Sequence, residues 1–300
     1  MGIDAHGIRF LEYVLRANGP MKGTLTVGHQ ALDVPEREVR DYLGITASRQ
    51  CAASKYIDDL LVEEFGASSV ASVDASSYEG ATYVRDLNLE LEPAFPQFDT
   101  VIDAGTLEHV FDVRTGFGNI NHCCKVGGQI LHILPANNFV GHGFYQFSPE
   151  FFYSLYSEAR GFADTEVYLA DLGRLNAWWK VVPPIGVSRS TAMCSRETYT
   201  LVRTRKVAEL TGMRPVQQSD YASKWASHEE SSVEHSSHDG RTFLGTLSNL
   251  LPGPTRAMII SPLTPRLVQA RRRFSTGIHS RNAALSRVSV PPPRHRKSAA

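Results

Sequence analysis

The stretch Phe98 to Val110, FDTVIDAGTLEHV, constrains this chain more than any other. A short apolar run, Thr100-Val101-Ile102, stops abruptly at Asp103-Ala104-Gly105. A buried strand ending in an acid, followed by a small-residue turn and a helix start, is where open α/β sheets place their ligands. Alone it would read as a surface turn, so its meaning depends on whether the rest of the chain builds a sheet around it.

The neighbouring segments supply one. Ile8, Leu11, Val14 and Leu15 space a helix over residues 3–17, stopped by Asn18-Gly19-Pro20. Residues 23–30 form a β-prone run that ends in Gly28-His29-Gln30. A nucleotide-binding turn ordinarily carries G-x-G or G-x-G-x-x-G glycines, and this one has a single glycine. An insertion with helices over 35–43 and 54–65 follows, the second closed by Gly66. Residues 69–74 read as a second strand ending at Asp74, and 81–84 as a third leading into Arg85-Asp86-Leu87-Asn88. In nucleoside sites an acid placed like Asp74 accepts hydrogen bonds from ribose hydroxyls.

Beyond the opening stretch, a helix is expected over 115–125, with Cys123 and Cys124 neighbours on it. Val126-Gly127-Gly128 then precedes a fifth strand over 129–135, halted by Pro135. Ser148-Pro149-Glu150 is a helix start, with Ser at the cap and Pro at the first helical position. Residues 165–169, 178–182 and 199–203 read as antiparallel strands completing the sheet. Strands and helices alternating at this spacing predict a doubly wound sheet over residues 1–210. Residues 211–300 read as a Ser/His-rich and then Pro/Arg-rich extension, largely disordered from 241, with 242–251 and 257–263 docking locally.

Charge separates the two parts. No Asp or Glu follows Asp239, whereas eleven of the 31 Lys and Arg do. The first 239 residues therefore set 20 basic against 31 acidic side chains, a formal charge of −11, which argues against a nucleic-acid groove there. The basic tail is a possible contact for acidic partners. No apolar run reaches the ~18 to 20 residues of a membrane span. No basic, then apolar, leader opens the chain, and a cytoplasmic protein with reduced thiols is expected. Cys51, Cys123, Cys124 and Cys194 show no C-x-x-C spacing, and no metal site is read from the sequence.

Three segments together resemble the class I S-adenosylmethionine-dependent methyltransferases: SVDAS (72–76), FDTVIDAGTLEHVFD (98–112) and KVGGQILHILP (125–135). The turn Gly28-His29-Gln30, the strand end DASSYEGA (74–81) and the loop GHGFYQFSPE (141–150) are similar to poorly characterised methyltransferase-like proteins. The resemblance spans roughly residues 20–205. It implies a Rossmann-like, doubly wound, mostly parallel seven-stranded sheet with helices on both faces and an antiparallel edge. It also implies S-adenosyl-L-methionine as cofactor. Asp74 would then hold the ribose, Asp86 and Leu87 would flank the adenine, and Asp103, Ala104 and Gly105 would sit beside the methionine moiety. The departure lies at Gly28-His29-Gln30, where His29 and Gln30 bring bulk to a turn that is ordinarily glycine-rich. Gln30 would then donate to the donor carboxylate, or the chain would be a relative that no longer binds it.

Methyl transfer aligns a nucleophile with a sulfonium methyl and, where needed, removes a proton. His142, Tyr145 and His109 are the candidate bases, His142 standing between two glycines in an aromatic loop. Glu108 and His109 either face the site or cap a helix. The acceptor is read as a small molecule or saccharide-type metabolite. A nicotinamide dehydrogenase lacks its G-x-G-x-x-G here, a zinc hydrolase built on His132, His142 and Asp103 lacks paired ligand spacing, and a serine hydrolase lacks its G-x-S-x-G elbow. A non-catalytic binding or scaffold protein on the same fold is the remaining rival.

Overall fold

The structure, a computed structural model, describes residues 2–43, 52–184, 192–209, 215–234, 278–280 and 285–290. The N-terminal third runs β1 (Gly2–Ile3), α1 (Ala5–Asn18), β2 (Lys22–Val27), β3 (Ala31–Leu32), α2 (Glu36–Leu43), α3 (Asp58–Phe65), β4 (Ala67–Asp74) and β5 (Tyr83–Val84). The middle runs β6 (Phe98–Ala104), α4 (Val113–Cys123), β7 (Cys124–Asn137), α5 (Pro149–Leu155), β8 (Phe162–Asp171) and β9 (Ala177–Val181). It closes with β10 (Ala192–Met193), β11 (Thr198–Lys206), α6 (Ser219–Glu234), β12 (His279–Ser280) and β13 (Leu285–Ser289).

Local chemistry sets the boundaries. Asp4 caps α1 by accepting the Gly7 N–H at 2.9 Å, and Gly66, in the left-handed region, ends α3. At the end of α4 the buried Lys206 ammonium donates to the Asn121 and Cys124 carbonyls at 2.9 Å each, a cation where the helix dipole is negative. Cys124 is thus the first residue of β7, and it shares no helix with Cys123. Burial pushes both thiols up to about 12, which leaves them inert as nucleophiles.

Among the described residues one sheet has nine strands in the order β13-β9-β8-β11-β7-β6-β2-β4-β5. The half from β5 to β7 is parallel, and every pairing from β7 outward through β11, β8, β9 and β13 is antiparallel. The expectation of a mostly parallel seven-stranded sheet is therefore corrected to a mixed one. The extra edge is β13, which pairs with β9 from Leu285↔Val181 to Ser289↔Ala177 and comes from the stretch read as an extension. Its few apolar side chains lie among Arg and Ser, so no strand period stands out. Helix α6 also falls in that stretch, whereas residues 242–251 and 257–263 lie outside the described residues.

Side chains alternate across the sheet into two cores. Ile102, Leu131 and Leu201 meet α1 and α3 on one face, while Val101, Ile130 and Val202 meet α4 and α5 on the other. Helices thus cover both faces, as expected. Strand β7 runs past Pro135 to Asn137, because its last pairing with β6 is Ala104↔Ile133 and Pro135 faces only β11, opposite Tyr199. The helix expected to run from 150 toward 159 stops at Leu155, and a separate 3-10 turn, Glu158–Arg160, precedes Gly161.

Candidate functional site

Counted in chain order, the parallel strands β2, β4, β5, β6 and β7 lie across the sheet as 3-2-1-4-5. This is the doubly wound order, whose ligand crevice opens where the winding reverses, outside the carboxyl ends of β2 and β6. The turn after β2 forms one wall. Gly28 has φ +74° and donates its N–H to Val73 O at 2.7 Å, and a Cβ there would stand 2.7 Å from Thr106 Oγ1. His29 is held by three neighbours. Its ring stacks on Tyr56 at 3.6 Å between centroids and bonds Glu79 O at 2.7 Å and Asp58 Oδ2 at 3.0 Å.

Gln30 folds inward. It is 2 % exposed, and its amide nitrogen donates to Val27 O and, at 3.2 Å, to Thr106 Oγ1. Both amide hydrogens are therefore engaged within the turn, and the expected donation from Gln30 to a donor carboxylate has no free hydrogen.

The acids differ in availability. Asp74, at the end of β4, accepts only the Ser76 N–H at 3.3 Å, and its second oxygen carries no hydrogen bond among the described residues. Asp86 is exposed and binds the Asn88 backbone and side chain, which hold its carboxyl below the usual range. Leu87 is buried, with its carbonyl bound by Asn119 at 3.2 Å.

Asp103 is fully buried and committed. One oxygen accepts the Thr106 and Leu107 N–H groups at 3.1 and 3.3 Å, and the other meets His132 Nδ1 at 2.9 Å. His132 Nε2 reaches Tyr156 Oη at 2.7 Å, so the three side chains form one closed buried relay. The pairing is set by register, since Asp103 and His132 are cross-strand partners between β6 and β7. Ala104 is buried, and Gly105 follows at φ +86°.

Five residues past Asp103 stands a carboxylate in the opposite condition. Glu108, in the 3-10 turn Leu107–His109, is 0 % exposed, and neither oxygen has a hydrogen-bond partner among the described residues. Burial, then the Asp103 charge, pushes its carboxyl up to about 8. His142 Nε2 and His109 Nε2 stand 3.5 and 3.7 Å from Glu108 Oε1, and one ligand atom from each of the three residues falls within 4.8 Å of the others. Burial, then His142, lowers the His109 pKa.

The loop after β7 places His142. The Glu108 carbonyl accepts the Phe144 and Tyr145 N–H groups at 2.7 and 3.3 Å, and a Cβ on Gly143 (φ +69°) would stand 2.8 Å from Glu108 Cγ. Gly143 thus seats the loop directly on Glu108 rather than hinging it. Tyr145 donates its hydroxyl to Phe111 O at 2.7 Å, a loop-fastening bond rather than the free phenol expected of a base. Phe111 and Phe144 form an exposed edge-to-face pair beside the cluster, 71 % and 65 % accessible.

Of the residues expected in the site, Gly28, Gln30, Asp103, Ala104 and Gly105 therefore gather at the switch point, with Asp74 and Asp86-Leu87 at the ends of the strands beyond it. His109 and His142 come together as a pair. Sequence reasoning left Glu108 open between a facing and a capping role and did not anticipate its isolation; the i, i+1 spacing of Glu108 and His109 was the available signal.

No protein-family model matches the sequence, and no curated protein matches it. Solved structures do. The 1,6-didemethyltoxoflavin-N1-methyltransferase of Burkholderia thailandensis, bound to its namesake and S-adenosylhomocysteine, is 14% identical, over 69% of this chain and 80% of that one, at a TM-score of 0.37. The N-methyltransferase NodS of Bradyrhizobium japonicum, also with S-adenosylhomocysteine, is 13% identical over 68% and 88% at 0.36. The branched-chain polyamine synthase of Thermus thermophilus is 13% identical over 72% and 59% at 0.37. Likenesses this distant carry no argument about what the chain binds; strand order and site geometry carry it instead.

Proposed function

We propose that this chain binds S-adenosyl-L-methionine at the β2/β6 switch point and transfers its methyl group to a small-molecule acceptor. The strand order carries this reading: a 3-2-1-4-5 parallel half with Asp74 ending the strand next to the central one. The residues present fit the adenosine half of the donor. Asp74 has a free oxygen for the ribose hydroxyls, and the buried Leu87 beside Asp86 offers an apolar edge with a polar neighbour for the adenine. Gly28 and Gly105 are both at positive φ beside the crevice, and the space over Gly28 is taken by Thr106 and Gln30.

When bound, the donor supplies an electrophilic methyl on a sulfonium. The chain's own contribution is alignment and proton removal. His142 and His109 stand at the same carboxyl edge as the turn after β6, and a ring nitrogen of either accepts the acceptor's proton. Phe111 and Phe144 offer an aromatic rim against which a sugar or flat metabolite stacks, and Tyr145 fastens that rim.

One observation favours the second reading, a non-catalytic binding protein on this fold: Gln30 and Asp103 are both spent on internal bonds, so the methionine end has fewer free partners than the resemblance implies. Calorimetric titration with S-adenosylmethionine and S-adenosylhomocysteine separates the two. Micromolar binding that Asp74→Ala abolishes is expected; no heat at millimolar ligand would favour the binding protein.

A further inference from the structure

We propose that Glu108, His109 and His142 hold one first-row divalent cation at the carboxyl edge of the sheet. Three independent features of the cluster point to it.

The first is a buried carboxyl without a hydrogen bond. A buried carboxylate is ordinarily paired or hydrogen-bonded. Glu108 is 0 % exposed, has no hydrogen bond among the described residues, and meets only two imidazoles, at 3.5 and 3.7 Å from Oε1. His142 Nε2 is likewise buried without a hydrogen-bond partner. A cation between them answers both at once.

The second is spacing. At 3.5 and 3.7 Å the imidazole nitrogens are too far from Glu108 Oε1 for hydrogen bonds. Two ligand atoms each ~2.1 Å from one tetrahedral ion stand ~3.4 Å apart. The observed gaps suit a shared ion better than a direct contact.

The third is preorganisation. Two backbone bonds from Phe144 and Tyr145 to the Glu108 carbonyl, with Gly143 against Glu108 Cγ, fix His142 over the carboxylate. His109 and His142 remain 46 % and 35 % exposed in their side chains, which gives the ion a path from solvent.

Two imidazoles and one carboxylate select zinc, cobalt, manganese or iron(II) over magnesium or calcium, which prefer all-oxygen shells. Three protein ligands also leave at least one coordination position open, the pattern of a catalytic rather than a structural ion. The inference does not depend on methyl transfer: the ion binds whether or not the crevice takes the donor, and because an imidazole that holds it is not free to accept a proton, the ion would replace the base role of His109 and His142.

Titration of the full chain, stripped with chelator and dialysed, tests this with no donor present. ZnCl2 by calorimetry and CoCl2 by visible absorption are expected to give one ion per chain, with ligand-field bands and no thiolate charge-transfer band. Losing an outer-shell partner already costs 10–100-fold in affinity, so losing a ligand should cost about 100-fold or more. Glu108→Gln keeps the shape of the side chain and should show that loss, with circular dichroism confirming the fold. His109→Ala, at a half-exposed position, should show it too and decides the matter should the buried variant misfold. No stoichiometric binding, or equal affinity in His109→Ala and wild type, would overturn the proposal.

Discussion

Two carboxylates five residues apart, Asp103 and Glu108, are both fully buried and both face histidine, yet they stand in opposite states. Asp103 answers two backbone N–H groups and His132, and His132 in turn answers Tyr156, so every member of the relay is satisfied. Glu108 answers no hydrogen-bond donor, and its two histidines stop short of hydrogen-bonding distance. Composition does not distinguish the groups; satisfaction does. A closed buried network rigidifies the fold, whereas an open one is a standing cost that a ligand can remove. The relay ties the carboxyl ends of β6 and β7 together, and the open cluster is where the proposed ion would bind.

The contrast can be broken most forcefully at the relay. Asp103→Ala removes the cap of the turn after β6 and leaves His132 Nδ1 buried without its partner. Breaking a buried pair in this way costs about 3 to 5 kcal/mol, and urea unfolding should show it. A loss below about 1 kcal/mol would mean that the relay does not hold the edge.

Glu166 sharpens the comparison as a third, partly buried acid. Burial alone would raise its pKa, but hydrogen bonds from Arg203, Lys180, Tyr13 and Tyr168 overturn that and hold it at about 2. Its folded pKa is depressed, so its stabilisation is fully present above the unfolded value of about 4.5 and is lost as pH falls toward 2. Allowing for partial exposure, Glu166→Gln should cost about 2 kcal/mol at neutral pH. The difference from wild type should vanish between pH 4.5 and 2 in acid-unfolding curves; a constant difference would rule out the charge as its source.

Much of this was legible in the sequence, and the rest was hidden for identifiable reasons. Strands β6 and β7 announce themselves by the apolar runs Val101-Ile102 and 130–134, and β4 by Val70 and Val73 before its closing Asp74. Thus Asp74 and Asp103 could be placed at strand ends from residue order alone. The commitment of Asp103 was not legible, because it follows from the β6–β7 register that sets it opposite His132. Nor was the packing of His29, which depends on Tyr56 and Glu79, 27 and 50 residues away. Glu108 is isolated by a loop returning from residues 142–145, and β13 joins the sheet through β9, more than 100 residues earlier. Each miss is a long-range contact, and only the adjacency of Glu108 and His109 left a local trace.

The smallest expected change in stability is also the most direct test of the contrast between relay and cluster. Thermal unfolding of Glu108→Gln and wild type should be followed with chelator and again with excess ZnCl2. In chelator, the neutral isostere should be within about 0.5 kcal/mol of wild type, since burial pushes the Glu108 carboxyl up to about 8 and the amide then replaces a group that is itself largely uncharged at neutral pH. With zinc, the wild-type midpoint should rise, by about 2.7 kcal/mol of stabilisation at a hundredfold excess over Kd, while that of Glu108→Gln stays still. A variant destabilised in chelator as heavily as Asp103→Ala, with equal zinc shifts in both proteins, would contradict the distinction between the two carboxylates.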